Sequence, residues 1–192
     1  TVCTFAALQV AHFLSKMGTV ALVELQQTSR SLISFAPEPG QHEKFDLEGI
    51  ACFPQANEDM LHRVLMSNFQ YIVLDFGTLL SSVFAREFAR CHVHLLTMGA
   101  SAWDQDRAVE CLDQLIEKGW SKRLDIIVNF ATKAAFQEIA GAFSKKEKQQ
   151  LNIQFHHHQL ADHPLTDGEA FENILGEIGG IIPKRKRSFW RK

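Results

Sequence analysis

Short apolar runs alternate with longer periodic stretches along this chain. Val2 to Met17 carries apolar residues at helical spacing and predicts a helix, with Gly18 as its C-cap. Thr19 to Leu25 (TVALVEL) predicts a short buried strand. Residues 28–49 contain Pro37, Pro39 and Gly40 and read as loop. Ile50 to Phe53 predicts a short strand. Asn57 to Ser67 predicts a helix capped by Asn57, with Glu58 and Asp59 in its first turn. Gln70 to Phe76 (QYIVLDF) predicts another buried strand, Leu79 to Arg90 an amphipathic helix, and Cys91 to Met98 (CHVHLLTM) a strand. The rhythm then repeats. Ser101 caps a helix running to Lys118, Arg123 to Phe130 (RLDIIVNF) is a strand, and Thr132 to Phe143 is a helix. Leu151 to Phe155 is the last strand, and a helix starts at Asp167 and ends near Gly179.

Strands that alternate with helices of about 10 to 16 residues require β-α-β crossovers. The fold class is therefore α/β: a single doubly wound domain over residues 1–180, with a mostly parallel sheet and helices on both faces. Ligands of such sheets sit at the carboxyl ends of the strands. That rule points to the residues that follow Leu25, Phe76, Met98 and Phe130.

Composition narrows the choice of function only by exclusion. The chain has 192 residues, 46% of them apolar, enough for one core. Twenty basic residues against 22 acidic ones give a formal charge of -2, which argues against a globally basic nucleic-acid binder. No apolar run of about 18 residues exists to form a spanning helix. The apolar opening lacks a basic leader and reads as a buried helix. Cys3, Cys52, Cys91 and Cys111 form no C-x-x-C pair and lie in apolar surroundings, which suggests reduced thiols in a cytosolic protein.

The order and wording of these elements resemble the ParA/MinD family of deviant Walker-type ATPases, the CobQ/CobB/MinD/ParA domain with a P-loop NTPase (SIMIBI) fold. VAHFLSKMGTVALVELQQTS is similar to the family's first helix and second strand. YIVLDFG, residues 71–77, is similar to its Walker B strand. CHVHLLTMGASAWDQDRAVECLDQL resembles the strand that ends in a polar turn before a long helix, and RLDIIVNFAT the strand that carries the base-side Asn. The match spans roughly residues 1–160, and within the family it looks most like the TadZ/CpaE pilus-positioning branch.

The resemblance implies ATP or ADP with Mg²⁺ as cofactor, protein partners, a homodimer, and a cytoplasmic protein peripheral to the inner face of the membrane. It places Cys3 and Thr4 at the end of the P-loop, with Cys3 near the position of its lysine; no Lys occurs before Lys16. Glu24 falls on the first Asp of the family's V-D-x-D, and Gln26 replaces the second, which organises the attacking water and the metal. Asp75 falls on the Walker B Asp that holds Mg²⁺. Asn129 falls on the residue that reads the adenine edge. The implied protein keeps the base side and one metal-side acid and loses phosphate clamping and water activation. It is a pseudo-ATPase that positions or scaffolds partners, with hydrolysis weak or absent. Two alternatives stand beside it: an active ATPase whose P-loop lies upstream, and a lipid- or DNA-docking adaptor.

The residues themselves also allow plainer readings. Asp75 can cap a turn, Glu24 can sit at a strand end that already reaches solvent, and Asn129 can form a turn. His92 and His94 fall on one face of a strand, and His156, His157 and His158 follow another. With His163 they complete no recognised zinc spacing and read as imidazoles near the carboxyl edge. No Ser-His-Asp or Cys-His spacing suggests nucleophilic catalysis.

The last segment, residues 181–192 (IIPKRKRSFWRK), holds six of the twenty basic residues, so the rest of the chain carries -8 (-2 minus +6). Lys184, Arg185, Lys186 and Arg187 beside Phe189 and Trp190 suit an acidic membrane surface, at about 1 kcal/mol per basic residue, and nucleic acid less well; a solvated end or a protein contact is the plainer reading. If the tail docks, anionic liposomes should bind the chain in a salt-dependent way. Alanine at those four basic positions should abolish most of the binding, and Trp190→Ala only part. Indifference to both liposomes and DNA at low salt would remove the adaptor alternative.

Overall fold

The computed structural model describes residues 2–26, 28–38, 43–120, 123–143 and 151–158, together with 163, 165, 171 and 175. The tail residues Lys184, Arg185, Lys186, Arg187, Phe189 and Trp190 lie outside the described residues. So does most of the expected 167–179 helix, of which Phe171 and Leu175, one helical turn apart, are both buried.

Helix α1 (Val2–Ser15) leads into β1 (Val20–Glu24). A hairpin follows, β2 (Phe45–Leu47) and β3 (Ile50–Phe53), then α2 (Glu58–Leu65) and β4 (Tyr71–Asp75). A short helix α3 (Ala85–Phe88) precedes β5 (Leu95–Met98), α4 (Ala102–Lys118) and β6 (Leu124–Asn129). Helix α5 (Lys133–Ala142) and β7 (Ile153–His158) complete the described fold. Asn57, Ser101 and Thr132 cap α2, α4 and α5 by accepting from the backbone N–H three residues on.

β1 pairs parallel with β3 and with β4, and β6 pairs parallel with β5 and with β7; among the described residues only β2 is antiparallel. Alternate residues of β1 serve opposite faces. Val20 and Leu22 pack in a cluster with Leu8, Ala11 and Leu14 of α1. Ala21 and Val23 pack in a second cluster with Leu61 and Val64 of α2 and Leu112 and Leu115 of α4. Helices therefore cover both faces, as the doubly wound reading requires.

The structure departs from the sequence reading at five places. The expected single sheet is two sheets, ordered β2-β3-β1-β4 and β5-β6-β7, with β4 and β5 unpaired to each other. The 28–49 loop contains β2, joined to β3 through Glu48 and Gly49, both at positive φ (49° and 82°), a two-residue hairpin turn. The helix expected over 79–90 breaks: Ser82 is extended (ψ 129°), and its hydroxyl accepts from the Phe84 N–H at 3.2 Å, a local bond that competes with helix. The strand expected over 91–98 starts only at Leu95. His94, which precedes it, stacks on Phe88 at 4.4 Å and bonds the Phe88 carbonyl at 2.6 Å. Gly18 is not a left-handed cap; a Cβ there would strike the Gln70 side chain, so close approach is what that position demands.

All four cysteines are free thiols. Burial pushes Cys52 up to about 12 and Cys91 and Cys111 up to about 11, values that leave almost no thiolate at neutral pH. No helix among the described residues is long and apolar enough to cross a membrane.

Candidate functional site at the carboxyl edge of the strands

The parallel register places Glu24, the last residue of β1, directly beside Asp75, the last residue of β4. Both are buried, at 0% and 2% exposure. The first turn of α1 comes down on this edge. The Thr4 hydroxyl donates to Asp75 Oδ2 at 2.7 Å, and the Cys3 thiol donates to Asp75 Oδ1 at 3.0 Å. The Gly77 N–H donates to the same Oδ1 at 2.9 Å. Helix α1 has no acidic residue in its own first turn. Asp75, reaching over from the neighbouring strand, supplies the negative charge that a helix N-terminus favours.

Cys3 is a neutral donor in this cluster. Burial, then the adjacent Asp75 carboxylate, push its thiol well above the ordinary value. A thiol held protonated between a strand and a helix N-terminus is neither a nucleophile nor a phosphate clamp.

Glu24 serves the loops. Its Oε1 accepts from the Leu32 N–H and its Oε2 from the Gln55 N–H, each at 3.2 Å. Burial is the main cause that raises its carboxyl, against the lowering effect of those bonds and of Ser29; neighbouring Asp75 adds a smaller push upward. Gln26 stands at the same edge and packs its amide against Gly77. That glycine has φ 59° and no room for a Cβ, which would strike Gln26 Oε1.

The structure thus gathers Cys3, Thr4, Glu24, Gln26 and Asp75, and it leaves Asn129 apart. Asn129 ends β6 in the other sheet, opposite His158. It is 0% exposed, and neither its Oδ1 nor its Nδ2 has a hydrogen-bond partner. The three consecutive histidines divide between faces. His156 bonds Asp125 at 2.7 Å, His157 bonds the Ala131 carbonyl at 2.7 Å, and His158 meets Gln9 of α1 at 3.3 Å.

A magnesium nucleotide would ask this edge for charge on the phosphates, a carboxylate open to the metal, and a donor–acceptor pair for the base. The start of α1 offers Cys3 and Thr4, with no cation. Both oxygens of Asp75 already accept from protein donors. Asn129 presents an orphaned donor and an orphaned acceptor on one side chain. Among the described residues, the base end fits and the phosphate end does not. Sequence reasoning missed Asp125, although it sits in the middle of an apolar run as plainly as Glu24 does. Gly77, seen only as part of the YIVLDFG match, proves to shape the turn that caps Asp75.

No family model and no curated protein matches this chain in sequence. Solved structures do match it in shape. A plasmid partition protein from Borrelia burgdorferi has a TM-score of 0.61 at 13% identity, over 91% of this chain and 92% of that one. A protein assigned to plasmid partition in Borrelia burgdorferi B31, bound to AMPPNP, has a TM-score of 0.55 at 12% identity, over 94% and 86%. The MinC:MinD cell division complex of Aquifex aeolicus gives 0.53 at 12% identity, over 91% and 83%. At such identities the likeness is one of fold, and in fold the chain is a single α/β domain with mostly parallel sheets, built like MinD and the ParA-like plasmid partition proteins.

Proposed function

We propose that this chain is a degenerate ParA/MinD-like protein that positions or scaffolds protein partners and hydrolyses nucleotide weakly or not at all. The observation that carries the reading is the closed circuit at Asp75. Cys3, Thr4 and Gly77 occupy its carboxylate from one side, and Gln26 stands where a second acid would be needed. Phosphoryl transfer depends almost wholly on positioning and charge, and this edge commits Asp75 to holding a helix and Glu24 to holding the loops. The orphaned amide of Asn129 supports retained recognition of the adenine edge of ATP or ADP. One fold relative was solved with AMPPNP and another in complex with MinC, which supports a nucleotide ligand and a protein partner for this chain by likeness alone. A homodimer and the TadZ/CpaE-type role belong to the same proposal.

Titration with Mg-ATP and Mg-ADP while following thermal unfolding tests it. Binding at a hundredfold excess over Kd stabilises by about 2.7 kcal/mol, which for a chain of this size raises Tm by roughly 5–10 °C. Asn129→Ala should remove most of that rise. ATP turnover is expected at background. Turnover at an ordinary ATPase rate that Asp75→Asn abolishes would overturn the reading in favour of a working enzyme with an upstream P-loop.

A further inference from the structure

Four polar side chains meet on one face of β6 and β7, toward the amino end of β6 and away from the carboxyl edge. Asp125 is 1% exposed inside an otherwise apolar strand, and Gln154 is its partner in register. His156 lies two residues beyond Gln154 and so shares its face. Arg123 donates to both oxygens of Asp125 and to Gln154 Oε1. His156 Nε2 lies 2.7 Å from Asp125 Oδ1, the oxygen that also takes Arg123 Nη2. An apolar pair of similar volume holds two strands together about as well as a buried ion pair does, so stability alone does not explain the cluster.

The bonding fixes the state of the imidazole. A carboxylate that receives a guanidinium on both oxygens is an acceptor only. His156 Nε2 therefore carries the hydrogen of that bond, and the lone pair of the ring stands on Nδ1. Nδ1 makes no hydrogen bond among the described residues and is not sealed from solvent. The side chain is 13% exposed. A ring held in this way is an oriented nucleophile. When Nδ1 gives its pair to an electrophile the ring becomes an imidazolium, and Asp125 already lies against the proton on Nε2 to stabilise it.

His157 is the contrast within the same strand. It is the more exposed of the two, and its Nε2 bonds the Ala131 carbonyl at 2.7 Å. That bond sets the same tautomer but brings no carboxylate. Arg123 decides the class of electrophile. Its guanidinium is 31% exposed and sits on the same carboxylate as the imidazole. A fixed cation there repels a metal ion and favours an anionic reagent, a phosphoryl group above all.

We propose that His156 is a phosphoryl-accepting histidine, which takes the group on Nδ1 from an N-phosphoryl donor. The Nδ1 lone pair forms the new N–P bond, the P–N bond of the donor breaks, and its electron pair leaves on the departing amine. With phosphoramidate, protonated on nitrogen, ammonia leaves and no further proton moves. The product is a phosphoimidazolium whose Nε2–H stays on Asp125. Asp125 and Arg123 are positioning residues in this step. The inference is independent of nucleotide binding at the carboxyl edge.

The test incubates the 192-residue chain with potassium phosphoramidate at neutral pH. Peptide mass spectrometry follows each phosphohistidine with time, and phosphorus NMR assigns the ring nitrogen. A hydrogen bond to a developing charge is worth about tenfold or more in rate. His156 should therefore be phosphorylated on Nδ1 at least about tenfold faster than His157 and than the exposed His62 and His92. Asp125→Asn keeps the shape, and it should bring His156 down to the rate of His157 while His62 and His92 stay unchanged. Mere loosening of the strands would instead expose His156 and raise its rate. A rate at His156 no higher than at His157, phosphate on Nε2, or an Asp125→Asn variant that reacts like the parent would overturn the proposal.

Discussion

Replacing Asp125 by alanine should cost about 3–5 kcal/mol of folding stability, the range for removing one member of a buried ion pair. Asp125 lies inside β6, with its side chain 1% exposed. Its Oδ2 accepts from Arg123 Nε at 3.1 Å and its Oδ1 from Arg123 Nη2 at 3.4 Å, and His156 Nε2 lies 2.7 Å from that same Oδ1. Arg123 also donates to Gln154 Oε1 at 3.0 Å, so the cluster ties β6 to β7 by side chains as well as by the ladder. Truncation leaves a guanidinium that is 31% exposed, and a largely buried imidazole, without their shared acceptor. Urea unfolding measures the loss. With a slope of about 2 kcal/mol/M, the midpoint should fall by roughly 1.5–2.5 M with the slope unchanged. Asp125→Asn keeps the shape and part of the bonding and should lose less. A drop under about 1 kcal/mol for the alanine variant would mean that the cluster is a solvated surface pair and not a buried one.

Asp125 also shows what was legible in the sequence and what was not. The helices and strands with strong periodicity or unbroken apolar runs were readable, because pattern and capping residues act locally: Asn57 and Ser101 each cap a helix at the residue expected. The carboxyl-edge rule brought Glu24 and Asp75 together, because parallel pairing of two strands with matched ends leaves no other arrangement. The break at Ser82 was hidden, since one side-chain bond to the Phe84 N–H decided between a long helix and two short turns. The hairpin turn at Glu48 and Gly49 was hidden for a similar reason: the prolines and Gly40 upstream made the whole stretch look irregular. The partners of a buried acid are the least legible, because they come from remote segments. Nothing local in LNIQFHHH announces that His156 will meet Asp125, 31 residues earlier.

That β4 and β5 do not pair with each other is a long-range fact of the same class. The apolar runs YIVL and LLTM look alike, and both are parallel strands as expected. Which strands are neighbours depends on crossovers, and periodicity carries no information about sheet order. That β4 is a half-buried apolar strand at the end of its sheet is visible only in the coordinates.

Asp75→Ala should destabilise the protein by about 3 kcal/mol, through the start of α1 more than through β4. Hydrogen bonds to a charged group are worth about 1.5–3 kcal/mol each, and Asp75 accepts three, from Cys3, Thr4 and Gly77. The three share one carboxylate and do not add. The anion at the N-terminus of α1 contributes further, up to about 2 kcal/mol in a partly buried setting, because the helix carries no acid of its own there. One small effect opposes the loss: Glu24, its neighbour in register, is freed from a like charge, although burial, the main cause that raises its carboxyl, remains. Thr4→Val removes one of the three donors and should cost about 1–2 kcal/mol. If Asp75 acts by holding the helix, the two substitutions must be coupled. The Asp75→Ala, Thr4→Val double variant should then lose about 1–2 kcal/mol less than the sum of the singles, read from urea midpoints in a double-mutant cycle. Strict additivity would show that Thr4 and Asp75 stabilise the fold separately, and the closed circuit that argues against metal binding at Asp75 would have to be given up.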